Sequence, residues 1–271
     1  MYDYHIHTKF SEDSSLEPED AIRKAIEVGL KEIAITDHVE VNVWRPGDII
    51  QNDIDAFKLN DYENTLNFLK EKYKGKISIK TGLEVGLQRE EKTVIDRLLN
   101  EKSYDFVIGS THTINRVDLY YRKIFEGQIK QKAYEQYFNE VLEIVKVFDR
   151  YSVYGHLDLI RRYALGEYED VELSPGEIDM VIEILKTIIS KGKGIEVNTS
   201  GYRYGLNSSN PGIEILKLYK KVGGEILTVG SDAHQKNHIG YRISETYELL
   251  KELGFRYITT FDQMKPSFRK I

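Results

Sequence analysis

The sequence predicts an α/β fold in which about seven strand–helix units close into a TIM-like β/α barrel. Three observations carry this reading. Short β-branched runs alternate with longer helical patterns along the whole chain. No linker, low-complexity tract or long like-charge run divides the 271 residues. Polar, chemically capable side chains gather just after each predicted strand, where a barrel of this kind carries its chemistry. Strands alternating with helices imply a parallel sheet, and the lack of a boundary favours one closed domain, 1–271, over an open sheet.

The strands expected, in order, are Asp3–Ile6, Glu32–Thr36, Ile77–Leu83, Phe106–Gly109, Ser152–Tyr154, Gly194–Val197 and Glu225–Val229, with a weaker one at Tyr257–Thr259. Pro18, Glu19 and Asp20 form a first helical turn, Ala21, Ile22, Ala25, Ile26 and Leu30 follow at helical spacing, and Gly29 is the stop. Ser174-Pro175-Gly176-Glu177 has the form of a capping box with proline at the first helical position. Asn210-Pro211 is expected to open another helix, and Gly223-Gly224 to close it.

Composition narrows the chemistry. Apolar residues make up 41% and charged residues 30%, an ordinary balance for a globular protein. No apolar run approaches the roughly 20 residues of a membrane helix. Met1-Tyr2-Asp3-Tyr4 lacks the basic and apolar stretches of a signal peptide, so a cytoplasmic location is expected. Cysteine is absent, which excludes disulfides, thiolate nucleophiles and thiolate metal sites. The formal net charge of −6 argues against a dedicated nucleic-acid binder. Oligomeric state is not legible.

The groups after the strands form a series: His5-Ile6-His7 with Asp13 close behind, Thr36-Asp37-His38, Glu84, Ser110-Thr111-His112, Gly155-His156-Leu157-Asp158, Asn198, and Gly230-Ser231-Asp232-Ala233-His234. Six of the seven histidines lie at these positions, and His238 alone does not; it is read as a solvated loop residue. Residues two apart on a strand face the same side, so His5 and His7 can grip one ion together, and Asp232 with His234 repeats that geometry. Imidazole and carboxylate are ligands for zinc, manganese and iron. Glu84 has two oxygens and can bridge two cations. A lone histidine at a strand end is more often structural; six at successive strand ends point to a shared metal site.

Taken in this order, these motifs resemble the PHP (polymerase and histidinol phosphatase) superfamily, from Met1 to about Ile239. The resemblance implies a distorted (β/α)7 barrel and three divalent ions. It implies ligation of the first by His5, His7, Glu84 and Asp232, of the second by Glu84, His112 and His156, and of the third by Asp13, His38 and His234. Many relatives have a histidine where Asp13 stands, and Glu12 is the neighbour it can be confused with. Within the superfamily, the stretches Gly155–Arg162 and Asn198–Arg203 resemble the histidinol-phosphate phosphatases, which implies hydrolysis of that small phosphate ester, with no nucleic-acid or membrane partner. Arg161 and Arg203 are then expected to hold the phosphate, since a guanidinium fork matches two phosphate oxygens. Arg162, adjacent to Arg161, is expected to diverge from it. Asp232 or His234 is a candidate to assist the leaving alkoxide. Asp37 is either a partner that orients a ligand or a helix cap. Specificity is expected in 39–55, where Glu40 is the candidate for the substrate amine, and Trp44, Arg45 and Asp48 could reach it.

The rival readings are a PHP phosphoesterase acting on nucleotides or nucleic-acid ends, a PHP phosphotyrosine phosphatase, an amidohydrolase, and a catalytically inactive metal-binding module. An amidohydrolase usually adds a metal-bridging lysine, a role that Glu84 takes in this reading, and the full ligand set speaks against decay of the site.

Overall fold

The computed structural model describes residues 1–44 and 59–271. Arg45 and Asp48 fall outside the described residues. The strands are β1 Tyr2–Ile6, β2 Glu32–Ile35, β3 His38–Val39, β4 Ser78–Gly86, β5 Phe106–Ser110, β6 Thr113–Ile114, β7 Val117–Asp118, β8 Val153–Tyr154, β9 Gly194–Asn198, β10 Leu227–Gly230, β11 Tyr257–Asp262 and β12 Lys265–Lys270. The α-helices are α1 Pro18–Glu27, α2 Leu59–Lys72, α3 Lys92–Glu101, α4 Lys130–Val147, α5 Ile160–Ala164, α6 Pro175–Ser190, α7 Ser200–Arg203, α8 Ile213–Lys221 and α9 Ile243–Glu252.

Seven parallel strands run β1-β2-β4-β5-β8-β9-β10, and β3 adds a short parallel pair against β4. Among the described residues the ring closes between its first and last strands through one bridge, Ile6 to Ala233, where His7 N–H donates to the Ala233 carbonyl at 2.9 Å. That closure lies at the C-terminal ends of the strands and brings His5 and His7 beside Asp232 and His234.

Alternation sorts side chains into an outer layer and a filled interior. Ile79, Leu83 and Val85 of β4 and Ile195 and Val197 of β9 belong to the large apolar core between the strands and the helices. Tyr4, Ala34, Phe106, Ile108 and Val153 fill the interior. Strand β1 breaks strict alternation: its pairing with β2 slips between Asp3 and Ile6, one extra residue against the partner. Such a bulge re-aims side chains, and both Tyr4 and His5 are inside, Tyr4 against the Phe106 ring and His5 against Glu84.

Two expectations change. Tyr257–Thr259 is part of β11, which pairs antiparallel with β12 and does not extend the barrel. This hairpin plugs the barrel floor: Phe261 packs on Phe106, and Phe261 N–H donates to the Tyr4 hydroxyl at 2.8 Å. The helix expected from Asn210-Pro211 begins instead at Ile213, because the Asn210 backbone is engaged with Asn198 by N–H···O bonds of 2.7 and 2.9 Å. The capping box forms as read, with Ser174 as N-cap and Pro175 at the first position of α6. Ser174→Ala is expected to cost about 1 kcal/mol in urea unfolding; an unchanged midpoint would show that the box does not stabilise α6.

Candidate metal centre

Each putting-forward of a side chain at the barrel mouth has a local cause. Inward-facing positions of β4 are Lys80, Gly82, Glu84 and Gly86, so Glu84 reaches the mouth from the barrel wall and is buried there. His156 follows β8 with φ of 22°, and Asp232 follows β10 with φ of 54°. Left-handed backbone at non-glycine residues is uncommon and tends to mark sites where it re-aims a side chain. Both turns direct their side chains toward Glu84 or His5.

Glu84 is the hub. Its Oε1 lies 2.7 Å from His156 Nε2 and 3.1 Å from His112 Nε2, and Ser110 Oγ donates to it at 2.7 Å. Its Oε2 lies 2.9 Å from His5 Nε2, 3.3 Å from His7 Nε2 and 3.1 Å from His38 Nδ1. Asp232 Oδ1 approaches His7 Nε2 at 3.4 Å and His234 Nδ1 at 3.5 Å. Asp13 Oδ2 lies 3.0 Å from His234 Nε2 and 3.7 Å from His38 Nε2. All nine residues of the three expected ligand sets are therefore brought to one place.

Four of the rings have a hydrogen-bond partner for Nδ1 on the side away from the centre. His5 Nδ1 is 2.5 Å from Glu196 Oε1, and His112 Nδ1 is 2.5 Å from Glu40 Oε1. His234 Nδ1 is 3.1 Å from the Asp232 carbonyl. His7 Nδ1 is 3.1 Å from Ser11 Oγ, whose own proton goes to Asp37 Oδ1 at 2.7 Å. Carbonyls and carboxylates only accept, and Ser11 has already spent its proton. With a cation at the centre, the proton of each of these four rings would sit on Nδ1 against its acceptor, and Nε2 would present its lone pair inward. Asp37 thus acts on His7 through Ser11 and does not cap a helix.

The donor set fits a cation. His5 and His7 Nε2 approach to 2.9 Å and His112 and His156 Nε2 to 3.5 Å around the Glu84 carboxylate, a crowding of inward-facing donor atoms that a cation would hold together. The donor groups His5–His7–Asp232, His5–Glu84–His156, His7–His38–His234 and His38–Glu40–His112 each lie within 4.8 Å. Electrostatics agree. Burial alone would raise the Glu84 carboxyl, but His5, His112 and His38 hold it well below the usual carboxylate range. Burial works against charge on His5, yet Glu196, Glu84 and Asp232 raise it well above the usual value. His38 is likewise opposed by burial and pushed up to about 9 by Glu84 and Asp13. His7 goes the other way, down to about 4, through burial and the neighbouring His234 and His38. Protons are shared among these groups where a divalent ion would otherwise neutralise the carboxylates.

The centre floors a cleft of about 700 Å³, with Phe10, Tyr120, Tyr121, Tyr163 and Tyr204 among its walls and the carboxylates of Glu12 and Asp118 also lining it. Arg203 lines the cleft and donates to the carbonyls of Ser231 at 2.7 Å and Asp232 at 2.8 Å. Arg161 is not brought there. It is buried, donates to Asp158 Oδ2 at 3.0 Å and Glu172 Oε1 at 2.8 Å, and lines a separate cavity of about 260 Å³. Its neighbour Arg162 lines the cleft, with its guanidinium 3.2 Å from the Tyr204 ring centre. On α5 adjacent residues point about 100° apart, so only one of the two can face the mouth. Glu40, expected at the substrate amine, is engaged with His112. His238, read as a solvated loop residue, is half-buried and lines the cleft. Trp44 packs in its loop, bridging Val117 and contacting the Tyr121 ring. Glu196 was not singled out from sequence; its spacing of two from Asn198 on one strand was the available signal.

A parallel β/α barrel with histidines and carboxylates converging at its strand ends defines the class of metal-dependent barrel hydrolases. The chain belongs to the PHP domain family, which matches residues 3–200. A histidinol-phosphatase of Lactococcus lactis subsp. lactis (strain IL1403) is 35% identical over 270 residues, covering 97% of this chain and 95% of that protein. A histidinol-phosphatase of Bacillus subtilis (strain 168) is 27% identical, covering 88% and 95%. The crystal structure of the Lactococcus lactis histidinol phosphate phosphatase, complexed with zinc, L-histidinol and phosphate, superposes with a TM-score of 0.86 at 31% identity over 98% of both chains. Asp232 and His234 lie beyond the family match, and their place in the centre rests on their contacts with His5, His7 and Asp13. No helix among the described residues is long and apolar enough to cross a membrane.

Proposed function

We propose that this chain is a phosphomonoesterase that hydrolyses L-histidinol phosphate to L-histidinol and phosphate, a step in histidine biosynthesis, in the cytoplasm. The observation that carries the reading is the two-sided Glu84 carboxylate, with imidazole nitrogens at both oxygens on the floor of a cleft that has arginines in its wall. Resemblance to an enzyme crystallised with zinc, L-histidinol and phosphate supports the substrate.

Three ions of zinc, manganese or iron would be held by His5, His7, Glu84 and Asp232; by Glu84, His112 and His156; and by Asp13, His38 and His234. Such ions supply an acidified water and positive charge for the phosphoryl oxygens. The residues of the chain do the rest. Glu84 fixes the spacing of neighbouring sites because each of its oxygens serves a different set. Arg162 and Arg203 complement the phosphate dianion from the wall, Arg203 while also bracing the Ser231–Asp232 turn. Glu12 and Asp118 supply negative charge toward the amine and imidazole of the substrate. Because Asp232 and His234 complete the centre from beyond residue 200, the whole chain acts as one catalytic domain.

The test is hydrolysis of L-histidinol phosphate by protein reconstituted with zinc, manganese or iron, beside sugar phosphates, nucleotides and a phosphotyrosine peptide. A preference of about 10²-fold or more in kcat/KM for histidinol phosphate is expected, with activity lost to a chelator and restored by metal. Preference for another ester overturns the substrate assignment, and hydrolysis that survives complete metal removal overturns the mechanism.

A further inference from the structure

Glu196 sits inside the barrel beneath the centre, 0% exposed, on inward-facing β9. Its carboxylate has three described partners. Oε1 meets His5 Nδ1 at 2.5 Å; Oε2 accepts from His156 N–H at 3.0 Å and from the Asn198 side-chain amide at 3.2 Å. No lysine or arginine among the described residues pairs with it. A buried carboxylate needs a compensating charge, and among the described residues the His5 ring is placed to supply it.

The fold makes room for it. A Cβ at Gly230, on the neighbouring strand β10, would stand 2.5 Å from Glu196 Oε1 and 2.4 Å from the His5 Cβ. A Cβ at Gly155, just past β8 on the other side, would stand 2.6 Å from Ser110 Oγ and 3.5 Å from Glu196 Oε2. Gly230 leaves the space that the carboxylate occupies, and a larger residue there would displace it from His5.

From this we infer that Glu196 is a positioning residue for metal binding: it holds the proton on His5 Nδ1, fixes the ring plane, and makes Nε2 the stronger donor of the site shared with His7, Glu84 and Asp232. This rests on the reading of the centre as a divalent-metal site. Carboxylate partners of ligating histidines raise ligand basicity and lock the tautomer. Glu196 touches neither the cleft nor any substrate, so its effect runs through the metal. The bond to His156 N–H extends its reach, since that backbone holds the left-handed turn from which His156 projects.

Glu196→Gln keeps the shape and removes the charge. Zinc titration of the full-length protein against a chromophoric chelator is expected to show one equivalent weakened about 10–100-fold. The visible spectrum of the cobalt-loaded variant should shift, and kcat should recover as zinc is raised. Wild-type zinc affinity with an unchanged cobalt spectrum would overturn the inference. In a His5→Ala background the same substitution should weaken zinc much less than it does in the wild-type protein, whereas an equal additional loss would show that Glu196 does not act through His5. If Glu196→Gln does not fold, nitrogen-15 spectra of the zinc-loaded wild-type protein decide: His5 should carry its proton on Nδ1, and a proton on Nε2 refutes the assignment. Zinc binding by a wild-type protein that spares histidinol phosphate would sink the substrate reading alone; failure to bind zinc would sink both.

Discussion

Glu84→Gln is expected to lower kcat on histidinol phosphate on the order of 10³-fold and to reduce the bound metal by at least one equivalent. The carboxylate is within 3.3 Å of five imidazole nitrogens, those of His5, His7, His38, His112 and His156. An amide keeps one acceptor oxygen and turns an NH2 toward the other set, so one side of the hub presents protons to a cation. Metal stabilisation of a phosphoryl-transfer transition state is worth several kcal/mol, and each 1.36 kcal/mol is a factor of ten in rate. Removing about 4 kcal/mol gives the stated loss. Ser110→Ala is a milder companion: it deletes one hydrogen bond to Oε1, about 1 kcal/mol, and leaves all ligands in place, so a loss near 5-fold is expected. Metal content separates the two, since only the first variant changes it. A glutamine variant with full metal and more than a tenth of wild-type activity would show that Glu84 does not hold the centre together.

Much of this arrangement was legible in the sequence because barrel geometry converts order along the chain into position around a ring. His5 with His7, and Asp232 with His234, needed only two-residue spacing, and the residue after each strand needed only the strand. What was not legible depended on tertiary contacts. The bulge in β1 puts Tyr4 and His5 inside together, which no alternation rule predicts. The C-terminal hairpin reads as a weak strand because its partner Lys265–Lys270 is exposed and lacks an apolar face. Glu40 and Glu196 look alike as lone glutamates in or beside strands, yet each ends against the Nδ1 of a different histidine across the barrel. The identity of the cleft arginine hung on the rotation of a five-residue helix, a phase that one turn of sequence cannot set.

That phase yields the second large effect, a crossed outcome for adjacent residues. Arg162→Ala is expected to lower kcat/KM about 10²-fold while changing stability by less than about 1 kcal/mol. Charge-assisted bonds to an anion are worth about 1.5–3 kcal/mol, and the Tyr204 ring beneath the guanidinium holds it over the cleft. Arg161→Ala is expected to do the reverse. Asp158, 0% exposed, would keep its bonds from Asn210 Nδ2 at 2.6 Å and Gly212 N–H at 2.9 Å but lose its only described cation. Breaking a buried pair from one side costs roughly 3–5 kcal/mol, whereas the contact with Glu172, 69% exposed, adds little. The loss should appear in denaturant unfolding, and protein that remains folded should keep a near-normal KM, because the pair anchors the turn before α8 outside the cleft. Full-length variants assayed by urea titration and by steady-state kinetics decide it. A large KM effect from Arg161→Ala with intact stability would return the phosphate role to Arg161, and equal effects from both would mean that α5 shifts as a unit when either arginine is lost.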